Sequence, residues 1–273
     1  MTQTKAGLTH TVHTLKTWDK CQKRFELDII QQLHWPSNPQ NFKLGQTIHT
    51  MLDYQAKNLP IEHLLPSLSA DEKQAWDILT KSDWLTAPII ASEWPFSLCV
   101  EGHWLYGRID RIISKQNSLS DFTPHPNPLP QGEREQVLRN ERSQSAEQIE
   151  TERYLIVDWK TGTATPLLPQ EDWQTRIYLF AVFTLASELG LSITTPEQLE
   201  FAYVQVSQKT DQLNVTTIPY NATMHQETQV LLGKVFQQIE STSTTSQFKL
   251  PKQCPDKHCP YNAICGINQL AKL

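Results

Sequence analysis

The sequence predicts an α/β protein in which helices flank a central mixed sheet, and three observations carry this prediction. Apolar residues recur at helical spacing over 14–33 and again over 171–190. The period changes to two over 89–113, which is typical of paired strands. Residues 154–160, YLIVDWK, form a short and mostly apolar segment, as expected for a strand at the centre of a sheet. A chain of 273 residues is long enough to bury a core around these elements.

Each element has its own signal in the sequence. The strands at 89–100 and 103–113 are joined by a predicted turn near Glu101–Gly102, and the helix at 171–190 is amphipathic and ends at Gly190. The first helix is predicted from the spacing of Leu15, Trp18, Phe25, Ile29 and Leu33. The remaining predicted elements are helices over 42–58, about 70–81 and 222–241, and strands over 199–206 and 212–219.

The segment 118–152 interrupts this order between two predicted strands. Four prolines alternate with other residues over 124–130, and a charged run rich in Ser and Gln follows them. Such a composition does not bury a core, so we expect a flexible low-complexity insertion without a role in chemistry. The whole chain, 1–273, is expected to form a single domain around it.

The net charge of -5 argues against a chain that binds nucleic acid through bulk positive charge. It does not exclude an enzyme whose carboxylates offset its local Lys and Arg. The chain lacks an apolar run of membrane-spanning length and an apolar leader, so we expect no membrane partner and a cytoplasmic location.

Asp158 and Lys160 stand two residues apart at the end of the strand over 154–160. Because side chains alternate along a strand, both point to one face of the sheet and Trp159 points to the other. A carboxylate beside a lysine suits phosphodiester hydrolysis, since the carboxylate holds a divalent cation and the ammonium orients water or offsets negative charge. The pattern is short and common, and it also occurs in surface ion pairs.

Asp110 lies in the preceding strand, next to Ile109 and between Arg108 and Arg111. A carboxylate in an apolar strand needs a partner or a metal, because burying it unpaired is costly. We expect Asp110 and Asp158 on neighbouring strands, where two carboxylates favour Mg²⁺ or Mn²⁺ over zinc. The alternative is that Asp110 pairs with a neighbouring arginine.

Two helices add weaker candidates. His49 follows Gly45 by four residues, and a glycine inside a helix favours close backbone packing. Gln174 and Tyr178 are spaced i,i+4 and therefore share one face of their helix. Taken singly, these three side chains are more typical of structural positions.

Taken together, the motifs G-x-x-x-H, G-R-I-D, V-D-W-K-T-G and Q-x-x-x-Y resemble the PD-(D/E)xK nuclease superfamily, and most of all its RecB/AddB-type exonuclease branch. They occur in the family order, and the resemblance spans residues 15–266. It implies a restriction-endonuclease-like fold. It also implies that His49, Asp110 and Asp158 bind Mg²⁺ or Mn²⁺, and that Asp110, Asp158 and Lys160 are catalytic.

The same resemblance implies three supporting residues. Gln174 and Tyr178 form the helix motif that supports the site and contacts DNA. Glu93, early in the first strand, matches an acidic position that the family often carries there.

Three of the five cysteines crowd the C-terminus, which indicates metal or cluster ligation, and these are Cys254, Cys259 and Cys265. The resemblance implies that Cys21 joins them and that 248–273 holds a [4Fe–4S] cluster with it. The family commonly has two residues between the first two late cysteines, whereas this chain has four. Zn²⁺, with His258 as a ligand, is therefore the alternative. Cys99, on a strand, is expected to be a plain buried thiol.

The sequence thus predicts a metal-dependent DNA nuclease, and the resemblance points to an exonuclease of DNA repair, recombination or foreign-DNA processing. The chain has no phosphate loop with a Lys-Ser/Thr ending, so a helicase or recombination subunit would be a separate partner. One alternative is a catalytically inactive DNA-binding or cluster-bearing scaffold of the same fold. Another is a zinc-stabilised partner protein without a nuclease site. The intact set of Asp110, Asp158 and Lys160 favours the enzyme.

Overall fold

The computed structural model describes residues 8–33, 35, 40–115, 152–162, 165–251, 254–256 and 259–265. The predicted insertion over 118–152 lies outside these residues except for Glu152, and His258 lies outside them too. Within the described part of the chain, no helix is both long and apolar enough to cross a membrane.

The helices are α1 (Val12–Lys20), α2 (Gln22–Phe25), α3 (Gln40–Ala56), α4 (Ala70–Thr80), α5 (Trp173–Thr184), α6 (Ala222–Thr245) and α7 (Asn262–Cys265). A π-helical turn covers Glu26–Ile30, and short 3-10 turns cover Leu65–Ser67, Asp83–Leu85, Ala186–Leu189 and Pro196–Gln198. The strands are β1 (Ile89–Val100), β2 (His103–Ser114), β3 (Tyr154–Lys160), β4 (Leu199–Ser207) and β5 (Gln212–Pro219).

The strands form one mixed sheet in the order β1-β2-β3-β4-β5. Only β3 and β4 are parallel, and the other neighbours are antiparallel. A parallel pair needs a crossover connection, which here contains α5. The mixed sheet with flanking helices confirms the fold class predicted from the sequence, and the crossover brings the start of α5 to the end of β3.

The sheet separates two apolar cores. Helices α3 and α4 pack on one face, against side chains such as Val157 and Trp159. Helices α1, α5 and α6 pack on the other face, against side chains such as Ile156 and Phe201. The alternation along β3 therefore holds as predicted, with neighbouring residues buried on opposite faces.

The hairpin of β1 and β2 follows the prediction closely. Glu101 and Gly102 both have positive φ, at 50° and 80°, which suits a two-residue turn whose twist matches the strands. One prediction on this hairpin is wrong: Cys99 is exposed rather than buried. Its neighbours Leu98 and Val100 point into the core, so the alternation of the strand turns Cys99 outward.

The single helix predicted over 14–33 is also wrong. The chain leaves the helical conformation at Cys21, whose backbone is extended and whose Sγ accepts the N–H of Arg24 at 3.4 Å. Cys21 thereby ends α1 and caps α2, and Leu33 lies beyond the helical turns. The spacing of apolar residues continues across the break, so periodicity alone does not reveal it.

The helix predicted over 171–190 differs in two respects. It ends at Thr184, and a 3-10 turn then leads to Gly190 at φ 68°. It is not amphipathic, because the six consecutive residues 177–182 are all buried. The buried middle of this helix fixes its position, and thereby the position of the side chains at its start.

Candidate active site

Helix α3 brings the first site residue to the end of β3. A methyl group in place of the Gly45 hydrogen would lie 3.2 Å from Thr161 Oγ1, so the glycine lets α3 run close to this point. His49 follows one turn later. Its Nε2 is 3.2 Å from the carbonyl oxygen of Trp159. An Nε2–H that donates to this oxygen leaves Nδ1 facing two carboxylates, those of Glu93 and Asp110, each at 3.6 Å.

The two carboxylates come from the β1–β2 hairpin. Glu93 and Asp110 stand across from each other, between the paired residues Ser92–Arg111 and Trp94–Ile109. Glu93 has a φ of 48°, a left-handed conformation that is rare for glutamate inside a strand. Strained backbone of this kind concentrates at functional sites, and here it accompanies a carboxylate beside His49.

The arginines beside Asp110 do not pair with it in the contacts of the described residues. Arg108 Nε lies 2.8 Å from Glu93 Oε2. The buried Arg111 donates instead to the Leu52 carbonyl at 2.6 Å. Asp110 Oδ2 accepts the backbone N–H of Trp159 at 3.1 Å. The alternative of an Asp110–arginine pair is therefore not what the structure shows.

Strand β3 supplies Asp158 and Lys160, which share one face as predicted. Asp158 is almost fully buried, and its Oδ2 lies 2.7 Å from Lys160 Nζ. The side-chain amide of Gln174 bridges the two: its Nε2 donates to Asp158 Oδ1, and its Oε1 accepts from Lys160 Nζ at 3.1 Å. Asp172 caps α5 by accepting the backbone N–H of Gln174 at 2.8 Å. The buried helix thus fixes the amide that aligns both residues. One helical turn further on, Tyr178 lines an open cavity that His49, Asp110 and Lys160 also line.

The pKa values of the cavity reflect poorly solvated negative charge. Burial raises the pKa of Asp110 to about 7, and the charge of Asp158 adds to this shift. Burial also raises the pKa of Asp158, against the charge of Lys160. Burial alone would lower the pKa of His49, but its hydrogen bond to Glu93 and the surrounding carboxylates raise it to about 9. A bound cation would stabilise this arrangement.

The donor set fits a divalent cation. The ligand atoms of His49, Glu93 and Asp110 lie within 4.8 Å of one another, and they form the one such group among the described residues. Asp158 Oδ2 is buried and, although near Lys160, accepts no hydrogen bond of normal geometry from the described residues. The two carboxylates and one imidazole of this group suit Mg²⁺ or Mn²⁺, and Asp158 lies outside the group. The structure thus places Glu93, predicted only as a supporting residue, with His49 and Asp110.

These side chains surround an open cavity of about 1080 Å³. Sequence reasoning missed several residues of its wall, among them Lys57 and also Arg108, which contacts Glu93. Arg108 was considered only as a partner for Asp110. The sequence does place Arg108 two residues before Asp110 on the same strand, and side chains at this spacing lie on the same face of the sheet.

The predicted cysteines lie in the segments that meet where the two chain ends approach each other, but no three of the thiols of Cys21, Cys254, Cys259 and Cys265 lie within 4.8 Å of one another. Asp256 accepts from Lys20 at 2.9 Å and from Arg24 at 3.2 Å, the residues just before and shortly after Cys21. The rings of Phe25 and Phe248 are 6.4 Å apart. Burial raises the pKa of the Cys259 thiol, and the neighbouring Cys254 adds to this shift. The junction is separate from the cavity residues.

Part of the chain is similar to a known superfamily of proteins. The family model described as the PD-(D/E)XK nuclease superfamily matches residues 147–266, which contain Asp158, Lys160, Gln174 and Tyr178. No curated protein matches the chain. The match supports a nuclease domain of this superfamily in the part of the chain that it covers.

Two solved structures match most of the chain. A crystal structure from Eubacterium rectale, of a protein named "Putative exonuclease", has a TM-score of 0.53 at 12% identity over 93% of this chain and 88% of that one. A crystal structure of SSO0001 has a TM-score of 0.40 at 15% identity over 99% of this chain and 90% of that one. The first likeness shows the fold alone.

Proposed function

We propose that the chain is a PD-(D/E)XK nuclease that hydrolyses DNA phosphodiester bonds with a bound Mg²⁺ or Mn²⁺. The observation that carries the proposal is one constellation: the buried carboxylate of Asp158 lies 2.7 Å from Lys160 Nζ, and Lys160 lines one cavity together with the partly buried Asp110. A scaffold that only bound DNA would gain nothing from burying two carboxylates whose pKa values are raised, because each costs stability when charged.

Each side chain of the site has its own role in the proposed reaction. A divalent cation would supply positive charge for the phosphoryl oxygens and would lower the pKa of a water molecule. His49, Glu93 and Asp110 would hold it, together with Oδ2 of Asp158. Lys160 is partly exposed, so its ammonium can approach the phosphate or orient the attacking water. Gln174 holds Lys160 and Asp158 in fixed relation, and this saves the entropy of ordering them in the reaction.

The finer parts of the proposal rest on the motif resemblance. They are exonuclease action of the RecB/AddB type, a role in DNA repair, recombination or foreign-DNA processing, a separate helicase or recombination subunit, and a cytoplasmic location. The named exonuclease with a similar fold is compatible with the first of these.

We also propose that Cys21, Cys254, Cys259 and Cys265 hold a [4Fe–4S] cluster. Two observations support it. Thiolates are soft ligands that select iron–sulfur clusters or zinc over magnesium. Asp256, between the late cysteines, also contacts both Lys20 and Arg24, so Cys21 lies on the side of the chain that the tail approaches. Zn²⁺ bound by the late cysteines and His258 is the alternative.

The nuclease proposal is tested by a time course on end-labelled single- and double-stranded DNA with Mg²⁺ or Mn²⁺. The Lys160→Ala variant is expected to lose at least about a hundred-fold in rate, because the ammonium next to the reacting phosphate is removed. Lys115→Ala is the matched control. Lys115 is also partly buried and paired with a carboxylate, that of Glu200 at 2.8 Å, but it does not line the cavity.

Equal rates for wild type and Lys160→Ala, with both folded, would contradict the site. A chain that binds DNA without cutting it under any of these conditions would favour the inactive scaffold. The size of the first labelled products separates exonuclease from endonuclease action.

The cluster is tested on protein purified without air. Wild type is expected to absorb near 400 nm and to hold about four irons. Cys21→Ser should lose both signals, whereas Cys99→Ser should keep them, since Cys99 is exposed on β1, away from the junction. Stoichiometric zinc without that absorbance would favour the zinc alternative.

A further inference from the structure

One face of the outer β1–β2 hairpin carries exposed aromatic rings. Along β2 the outward residues are Trp104, Tyr106 and Arg108, while Leu105 between the two rings and Ile109 after Arg108 are buried. Trp104 is 51% exposed and Tyr106 is 39% exposed. Their ring centroids are 6.2 Å apart, so the two rings form one continuous surface.

The residues across from them on β1 leave this face open. Trp104 pairs with Cys99, Tyr106 with Ser97, and Arg108 with Pro95. The three β1 partners are small or flat, and all are exposed. The surface defined by Trp104, Tyr106 and Arg108 is called the ring face below.

The ring face leads directly to the candidate active site. Arg108 is 69% exposed at its side chain and lines the same cavity as Asp110. Two residues along a strand advance about 7 Å, so the rings and the guanidinium are evenly spaced toward the carboxylates. This spacing is close to that of successive nucleotides in an extended single strand. Arg108 contacts Glu93 through Nε, and its other N–H groups are available to a phosphate.

We propose that the ring face binds single-stranded DNA, stacking two unpaired bases on Trp104 and Tyr106 and guiding the adjoining phosphate past Arg108 toward the cavity. The inference rests on the proposed function for its direction toward Asp110. Aromatic side chains on an open sheet face are a general means of stacking unpaired bases. In a duplex the bases already stack on one another inside the helix, so the ring face selects a single strand.

The position of the ring face favours this occupant over a protein surface. Trp, Tyr and Arg are also common in protein interfaces, so residue type alone does not decide. A nucleic-acid strand is favoured because Arg108 joins the rings to the cavity that contains Asp110, where the proposed function places a phosphodiester. Stacking also does not depend on net positive charge, which agrees with a chain of net charge -5.

The test measures binding rather than cleavage. Fluorescence anisotropy of a labelled 20-nucleotide oligothymidine is recorded in EDTA, where the divalent cation is absent and the DNA stays intact. Trp104→Ala and Tyr106→Ala should each weaken binding by about ten-fold, which lies within the range expected for the loss of one stacked base. Trp104→Phe and Tyr106→Phe keep a ring and should retain most of the affinity.

Val215→Ala is the matched control, since Val215 is an exposed apolar residue on β5 at the opposite edge of the sheet. It should bind as wild type does. A blunt duplex of the same length should bind more weakly than the single strand and should respond less to the ring substitutions.

Wild-type affinity in both alanine variants would overturn the proposal, and so would the absence of single-strand binding by wild type. Equal losses in the alanine and phenylalanine variants would overturn it as well, because a retained ring should stack. Ring-dependent binding by a chain that cuts nothing would support the ring face and contradict only the nuclease. Cleavage of a single strand without ring-dependent binding would do the reverse.

Discussion

Two histidines, the partly buried His49 and the fully buried His10, lie in opposite electrostatic environments. His49 faces Glu93 and Asp110 at 3.6 Å, and its pKa is raised to about 9 although burial opposes the shift. His10 is 1% exposed beneath the outer hairpin, stacked on the ring of Phe236 at a centroid distance of 4.2 Å. Burial lowers the pKa of His10 to about 4, and the nearby His103 adds to this shift.

The comparison shows what separates a site from a core position. Burial acts in the same direction on both rings, because it disfavours the charged imidazolium in each case. The difference comes from the partners: carboxylates stabilise positive charge around His49, while aromatic rings offer none to His10. An environment that stabilises a proton on a histidine also suits a cation that replaces it. The neutral histidine among rings is a packing residue.

The largest expected effect removes one carboxylate from the His49 region. Asp110→Asn should lower the cleavage rate by at least about a thousand-fold, which corresponds to about 4 kcal/mol of lost stabilisation of the transition state. The melting temperature should stay the same or rise, because the substitution removes the repulsion between Asp110 and Asp158. The asparagine Oδ1 can still accept the N–H of Trp159.

The matched control for this prediction is Glu200→Gln, a partly buried carboxylate of the same sheet that pairs with Lys115 away from the cavity. It should cleave DNA as wild type does. A folded Asp110→Asn variant with full activity would contradict a catalytic metal site at His49, Glu93 and Asp110.

The second expected effect concerns the His10 region, and it is a pH dependence of the free energy of unfolding. The folded state holds His10 neutral down to about pH 4, whereas the unfolded chain takes up a proton below about pH 6.5. The unfolded state therefore binds more protons in this window, so the free energy of unfolding falls as the pH drops from 6.5 toward 4. The loss attributable to His10 is expected to reach about 3 kcal/mol.

His10→Phe tests this by difference. Urea unfolding of wild type and variant is compared at several pH values, and the variant should show a flatter curve between pH 4 and 6.5. A constant offset caused by imperfect packing of the larger ring does not alter this slope. Parallel curves for the two proteins would show that His10 does not titrate as its surroundings indicate.

The two histidines also show how far the sequence reaches. The hairpin and β3 were predictable to within a residue, because period-two patterns and the Glu101–Gly102 turn are local signals. His49 stood out only through the family motif, since a helix histidine says nothing locally about carboxylates on two strands. His10 had no signal, because its stacking on Phe236 joins residues far apart in the chain.

Other features were hidden for related reasons. The left-handed backbone of Glu93 and the break at Cys21 are single-residue conformations that do not disturb the apolar spacing around them. The burial of residues 177–182 in α5 depends on the neighbouring elements packed around this helix, which composition alone does not specify. These features depend on contacts between residues far apart in the sequence, which the periodicity of apolar residues does not report.

A smaller effect tests how α3 positions His49. Gly45→Ala places a methyl group 3.2 Å from Thr161 Oγ1, so the helix or the threonine must shift by a few tenths of an ångström. We expect the cleavage rate to fall by about ten-fold, because a small displacement of a metal ligand impairs the geometry of the site. Gly233→Ala is the control, since its methyl would meet the flexible Glu101 side chain at 3.1 Å, away from the cavity. Equal rates for both variants and wild type would show that α3 tolerates the shift.

The smallest effect is expected from a change that touches neither histidine region, the replacement of residues 118–151 by a turn of about four residues. The strands that flank the segment already meet, since Ser114 pairs with Tyr154 and the Lys115 N–H donates to the Arg153 carbonyl at 2.8 Å. Closing a shorter loop saves about 0.6 kcal/mol for each halving of its length, so the free energy of unfolding should rise by no more than about 2 kcal/mol. Cleavage should be unchanged, because β2 and β3 keep the register that sets Asp110 across from Asp158. A variant that fails to fold, or that folds and loses activity, would show that the segment contributes to the domain and is more than an insertion.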